Sequence, residues 1–189
     1  MRSRFIRICT LLICIILLIS CRSIENSGNT FEQRFDENDN YIGFKDISSE
    51  YTLEDAKKDE YYVELDSKVY ANYNLWEEFI ELSSSGENAF IRIIHFYSNE
   101  DSNSPYFLDL YYNDDYYYLF DSSADELKKE KFLFLVTLEG KYGSPLKDTS
   151  ITILTNNNMM TFDEFTKAMV SSDLKVLQSI MPYRMLMFE

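Results

Sequence analysis

Tyr106-Phe107-Leu108-Asp109-Leu110-Tyr111-Tyr112-Asn113-Asp114-Asp115-Tyr116-Tyr117-Tyr118-Leu119-Phe120-Asp121 is two aromatic and aliphatic blocks around three polar residues. Blocks of this composition favour the pleated ladder, and so short a polar loop returns the chain only as an antiparallel hairpin. The reading is therefore strand over 106–112, turn at Asn113-Asp114-Asp115, strand over 116–121. On the N-terminal side, 89–97 is rich in isoleucine and aromatics and forms another strand, separated from the hairpin by a polar turn over 99–105. On the C-terminal side, 131–139 carries Phe132, Leu133, Phe134, Leu135 and Val136 without alternation. An unbroken apolar run of this length suits a strand covered on both faces, so it is the expected centre of the sheet. Gly140 to Pro145 then turns the chain into a further strand over 150–155.

Helical signals flank these strands. Thr52-Leu53-Glu54-Asp55-Ala56 has the form of a short capped turn and leads into a strand through Tyr62, Val63 and Leu65. Asn74 with Glu77 has capping-box character, and Leu75, Phe79 and Leu82 recur at helical spacing up to Gly86. Thr161 with Glu164 forms a second box, Met160 and Phe165 are placed as its hydrophobic staple, and Phe162, Phe165 and Met169 form the buried stripe. Asp173 can cap a third short helix that Pro182 stops, whereas 183–188 fits strand or loop equally. Consecutive strands with helices before and after imply an α+β domain. It is expected to hold an antiparallel sheet of about five strands packed against two or three helices.

The amino-terminal residues are organised differently. Arg2, Arg4 and Arg7 precede an apolar run over 8–19, which at roughly 12 residues is shorter than the ~20 of a spanning helix and so reads as a signal segment. Leu18-Ile19-Ser20-Cys21 has the form of a lipobox: a small residue that admits a peptidase, then a thiol that can be alkylated by a diacylglyceryl donor. Two acyl chains anchor durably because each buried methylene contributes about 0.8 kcal/mol. The expectation is a signal peptide over 1–20, acylation of Cys21 into the lipid bilayer, and a location on the outer face of a bacterial cytoplasmic membrane. The polar run 21–50 buries too little to offset chain entropy and reads as a flexible tether, with the folded domain over 51–189.

Composition limits the chemistry. Cleavage removes Cys9 and Cys14 and lipidation blocks Cys21, leaving no thiol for a disulfide, a metal or a nucleophilic attack. Loss of Arg2, Arg4 and Arg7 leaves 15 basic against 32 acidic residues, so the net charge of −14 falls to about −17. Such a surface repels phosphate backbones, which argues against nucleic acid as a partner. Asp36-Glu37-Asn38-Asp39-Asn40 resembles a calcium loop, but Tyr41 stands where the sharp-turn glycine belongs and Ile47 where the closing glutamate belongs. His95 is the single histidine, set in a strand between Ile94 and Phe96, and reads as a surface or hydrogen-bonded strand residue rather than a triad member or zinc ligand. Glycine-rich phosphate loops are absent, and no cofactor is implied.

Two groups stand out as candidate sites. Arg92 interrupts the apolar strand Ile91-Arg92-Ile93-Ile94, and a buried guanidinium is tolerable only when paired. Asp109 or Asp121 is the expected partner, in an ion pair that sets strand register. Tyr111, Tyr112, Tyr116, Tyr117 and Tyr118 bracket the hairpin, and alternation would place some of them on a solvent face suited to binding an envelope protein or wall glycan.

The segments Tyr51-Thr52-Leu53-Glu54-Asp55-Ala56-Lys57-Lys58, Asn74-Leu75-Trp76-Glu77-Glu78-Phe79-Ile80, Ile91-Arg92-Ile93-Ile94 and Phe107-Leu108-Asp109-Leu110-Tyr111-Tyr112-Asn113 follow one another in an order that resembles a family of small Gram-positive bacterial lipoproteins. Those proteins carry a C-terminal domain of unknown function after a lipidated tether, and the resemblance spans roughly 51–139. It implies a membrane-attached, extracytoplasmic α+β domain and no particular activity. The functional expectation is a non-catalytic binding module of the cell envelope. The alternative is a small envelope hydrolase using paired carboxylates, which would need two of them converging in a pocket with one pKa raised. An ion-buffering or purely structural lipoprotein would show neither feature.

Overall fold

A computed structural model describes residues 31–98 and 105–189. The signal segment, Cys21 and most of the 99–105 turn lie outside the described residues. Residues 34–189 form one compact unit, and of the preceding unit only 31–33 are described, in a 3₁₀ turn at Phe31–Arg34. Among the described residues no helix is long and apolar enough to cross a membrane.

Among the described residues, nine strands make two sheets. The larger contains β1 (Tyr62–Leu65), β2 (Lys68–Ala71), β3 (Ala89–Phe96), β4 (Tyr106–Asn113), β5 (Tyr116–Asp121) and β6 (Glu130–Phe132), in the order β2-β1-β3-β4-β5-β6. The smaller is β7-β8-β9, from Phe134–Tyr142, Lys147–Thr155 and Tyr183–Phe188. The helices are α1 (Leu53–Lys58), α2 (Tyr73–Ser84), α3 (Phe162–Met169) and α4 (Leu174–Ile180). The fold is α+β, but with strands in two sheets where one sheet of about five was expected. The large sheet is also mixed, because β1 runs parallel to β3. A parallel neighbour requires a crossover, which α2 supplies after the β1–β2 hairpin.

The hairpins are tighter than their composition announced. Asp114 and Asp115 both have positive φ, and Asn113 pairs with Tyr116, so the turn is two residues of the type I′ kind rather than three. Asp66 and Ser67 repeat this geometry between β1 and β2. Lacking the Asn-Gly signature, that second hairpin was invisible to sequence reading.

The run 131–139 is not a central strand. It divides at Leu133: Phe132 pairs with Tyr117 at the edge of the large sheet, whereas Phe134 pairs with Thr155 in the small one. Leu133 is exposed, and its N–H donates to Asn156 Oδ1 at 2.9 Å. A chain that changes sheets is apolar on both sides of the step, so composition cannot reveal the break.

Helix ends follow their capping chemistry in three cases. Thr52 and Asp55 close a reciprocal box on α1, Thr161 and Glu164 do so on α3, and Asp173 accepts from Lys175 N–H at α4. For α2 the expectation fails. Its N-cap is Asn72, in the left-handed region with no side-chain cap, because that side chain donates to the Tyr61 carbonyl at 2.8 Å.

Among the described residues, apolar clusters hold the layers together. One face of the large sheet (Ile91, Ile93, Leu108, Leu110, Leu119) packs on Trp76 and Phe79 of α2 and on Leu154, Leu186 and Met187 of the small sheet. Phe162, Phe165 and Ile180 cover the small sheet's Ile151 and Ile153. Phe162 lies directly on Gly140, where a Cβ would come within 2.2 Å of the ring. The other face of the large sheet (Val63, Ile94, Phe96, Phe107) is covered by Ala56 of α1 and by Phe44, Ile47 and Tyr51. The proposed tether therefore does not extend to residue 50. Residues 34–50 carry too few apolar groups to form an element alone, but Tyr41, Phe44 and Ile47 are spaced to seal a sheet face that has no helix long enough to do so.

Candidate functional site

Arg92 on β3 stands directly opposite Asp109 on β4. Its Nε donates to Asp109 Oδ1 and its Nη2 to Oδ2, both at 2.6 Å, a fork-on-carboxylate pair with the carboxylate fully buried and the arginine 7 % exposed. Nη2 also donates to the Gly43 carbonyl at 2.8 Å, and Asp109 accepts a hydrogen bond from the Tyr41 hydroxyl. Asp121, the other expected partner, instead accepts from Ser123 at the end of β5. Burial would lower the Arg92 pKa, but the hydrogen bonds and charge of Asp109 outweigh it and raise it above the ordinary value. Burial first, then Asp109, raises the Tyr41 hydroxyl. Tyr41 and Gly43 are thus part of this charge cluster, and sequence reading had placed both in a tether.

Gly43 approaches Tyr41 so closely that a Cβ would sit 2.2 Å from the hydroxyl oxygen. Tyr41 is also stacked on Phe120, centroids 3.8 Å apart and planes 3° from parallel. The preceding turn is self-contained. Asp36 accepts from Asn38 and Asn40 N–H at 2.9 Å, and the Asn40 bonds hold its carboxyl below the usual carboxylate range. Among the described residues no group of three or more metal-ligating side chains is arranged to hold an ion.

The hairpin tyrosines do not form the expected solvent face. Tyr111, Tyr117 and Tyr118 are buried, and Tyr112 and Tyr116 are half-buried. Tyr111 shares a 3.1 Å hydrogen bond with Tyr41, and burial pushes its pKa up to about 12. Tyr117 packs against Phe79, and Lys131 Nζ lies 3.3 Å from the ring centre of Tyr116. Alternation along β4 and β5 holds, but segment 34–50 covers one face of the sheet and α2 with the small sheet covers the other. The tyrosines are core and edge residues and do not form the solvent-facing patch expected of them.

His95 is likewise internal. Its Nδ1 lies 3.0 Å from Glu64 Oε2, its paired residue across β1 and β3, and its ring stacks on Tyr106 at 4.4 Å. Its Nε2 is buried and has no hydrogen-bond partner.

Two adjoining cavities open beside Tyr51. The first, about 430 Å³, is lined mainly by Tyr51, Leu53, Leu65, Phe96 and Tyr97, with Glu50 and Ser98 at its margin. The second, about 520 Å³, has Arg92, Tyr61 and Phe107 among its walls and four carboxylates, Asp46, Glu50, Asp55 and Asp59, around it. Glu50 and Tyr51 line both. The dividing ring is fixed by an edge-to-face contact with Phe107 at 5.6 Å and a 2.9 Å hydrogen bond from its hydroxyl to Asp59 Oδ2. Ser98 is placed by Asp66, which accepts from its N–H at 2.9 Å and its hydroxyl at 2.7 Å. The β1–β2 turn therefore braces the rim of the first cavity. Asp55 has its carboxyl lowered by hydrogen bonds from Thr52, the opposite of what a general acid needs. Of the residues singled out in the sequence, only Arg92 lines this region; Asp109 lies behind it.

Fold and cavities together define an α+β domain with a half-open, aromatic-walled groove over one face of its larger sheet. No protein-family model, curated protein or solved structure matches the chain.

Proposed function

We propose that this chain is a lipid-anchored module on the outer face of a bacterial cytoplasmic membrane, and that it acts by binding an envelope component rather than by catalysis. The observation that carries the binding half is the pair of cavities meeting at Tyr51. Their volumes, about 430 and 520 Å³, lie in the range of real ligand sites, and their walls combine apolar surface with a few polar groups. The address rests on Arg2, Arg4, Arg7 and Leu18-Ile19-Ser20-Cys21. The resemblance to small Gram-positive lipoproteins points the same way. In this reading segment 34–50 follows the anchor region along the chain and also lines the groove.

Each half has its own test. Native protein recovered from membranes should begin at Cys21 and carry the mass of attached acyl chains; an uncut, unmodified amino terminus would overturn the address. For the groove, a photo-crosslinking side chain placed at Ser98 in intact cells should give a discrete adduct that the same group at Leu146 does not. Identical adducts from both positions would remove the groove as the binding face.

A further inference from the structure

We propose that the groove takes an extended peptide segment of a partner protein, one that presents a basic side chain next to an aromatic or large aliphatic one. This rests on the binding reading above and names its ligand. The apolar cavity has room for one large side chain between Tyr51, Leu53, Leu65, Phe96 and Tyr97. Burying such a side chain is the main favourable contribution, and half-exposed aromatic walls suit it.

The neighbouring cavity sets the charge. Asp46, Glu50, Asp55 and Asp59 face Arg34 and Arg92, and the Arg92 charge is already matched by Asp109 beneath it. The local balance is negative, within a chain of net charge −14. An anionic ligand would meet an excess of carboxylates over cations, whereas an ammonium or guanidinium would meet both those carboxylates and the rings of Tyr51 and Tyr61. Because Glu50 and Tyr51 belong to both cavities, the apolar and the cationic group must sit side by side on one ligand. Residues i and i+2 of an extended peptide share one face and present two such groups side by side.

The full-length chain in detergent micelles is titrated against three short peptides bearing a neutral dye, in which serines separate the named residues so that these fall at every second position and share one face of the extended chain: phenylalanine and lysine in turn, alanine and lysine in turn, and phenylalanine and glutamate in turn. Fluorescence anisotropy should rank the first tightest, the second at least about tenfold weaker and the third without measurable binding, with the first weakened by added salt. Asp46→Asn combined with Glu50→Gln should weaken the first peptide about tenfold, and Tyr97→Ser should weaken it too. Asp148→Asn on the small sheet should leave it unchanged, with all variants retaining the parent melting temperature. Equal affinity for the lysine and glutamate peptides, or binding of none of the three, overturns the ligand class while leaving the groove open to another occupant. Retained tight binding in the groove variants overturns the groove itself, and with it the binding face proposed above.

Discussion

Tyr41 and Arg92 hold the Asp109 carboxylate between them, and substitution separates their contributions. Tyr41→Phe removes one hydrogen bond to a buried charge and the one shared with Tyr111, and leaves the ion pair, so urea denaturation should show a loss of at least about 1.5–3 kcal/mol. Arg92→Met leaves the carboxylate unpaired in the core, and the loss should reach about 3–5 kcal/mol. Replacing both partners, Arg92→Met with Asp109→Leu, should recover most of that, because two desolvated charges disappear together. If the double variant is as unstable as the single one, the pair is stabilising in its own right. Arg92 and its pairing were legible because a cation inside an isoleucine run must be compensated. Tyr41 was not legible: a lone tyrosine among Asn and Asp gives no sign that it stacks on Phe120, more than 70 positions along the chain.

At the scale of the element, capping and turn chemistry make sharper statements. Glu164 has its carboxyl held low by Thr161, so the folded pKa lies below the ordinary 4.5. The stabilisation is fully present above that value and is lost as pH falls through the folded pKa. Thr161→Ala should cost about 1 kcal/mol near neutral pH, and less once Glu164 is protonated in both proteins; amide exchange at the start of α3 measured against pH would show this. In the β4–β5 turn, Asp115 has φ of 64° without being glycine. Asp115→Gly trades a left-handed penalty of about 1 kcal/mol against greater freedom when unfolded, for a net gain of about 0.5 kcal/mol, or about 1–2 °C in melting temperature. The Thr161 box and the hairpin were legible because both depend on residues at most three or four apart. The β6–β7 break was not, since the two halves differ only in which distant strand they meet.

For the whole molecule, the decisive feature is that both faces of the large sheet are covered. A chain beginning at residue 51 would leave Ile94, Phe107 and Phe120 open and deprive Arg92 and Asp109 of the Gly43 carbonyl and the Tyr41 hydroxyl. Expressed without the signal, that truncation should be aggregated or unfolded by size-exclusion chromatography and circular dichroism, whereas a chain beginning at 34 should be folded and monodisperse. If both behave alike, residues 34–50 contribute nothing to the sheet face. The sequence by itself determined what depends on neighbours along the chain: the α+β class, the hairpin, the Thr161–Glu164 capping box, the capped turn at Thr52 and the need of Arg92 for a carboxylate, and it raised the expectation of an exported, acylated amino terminus. Only the tertiary structure decided that there are two sheets, that the hairpin tyrosines are buried or half-buried, and that a groove forms where 46–53 meets the ends of β1 and β3. Those features arise from surfaces brought together across long loops, and which surface meets which is set by packing the complete chain rather than by any local pattern.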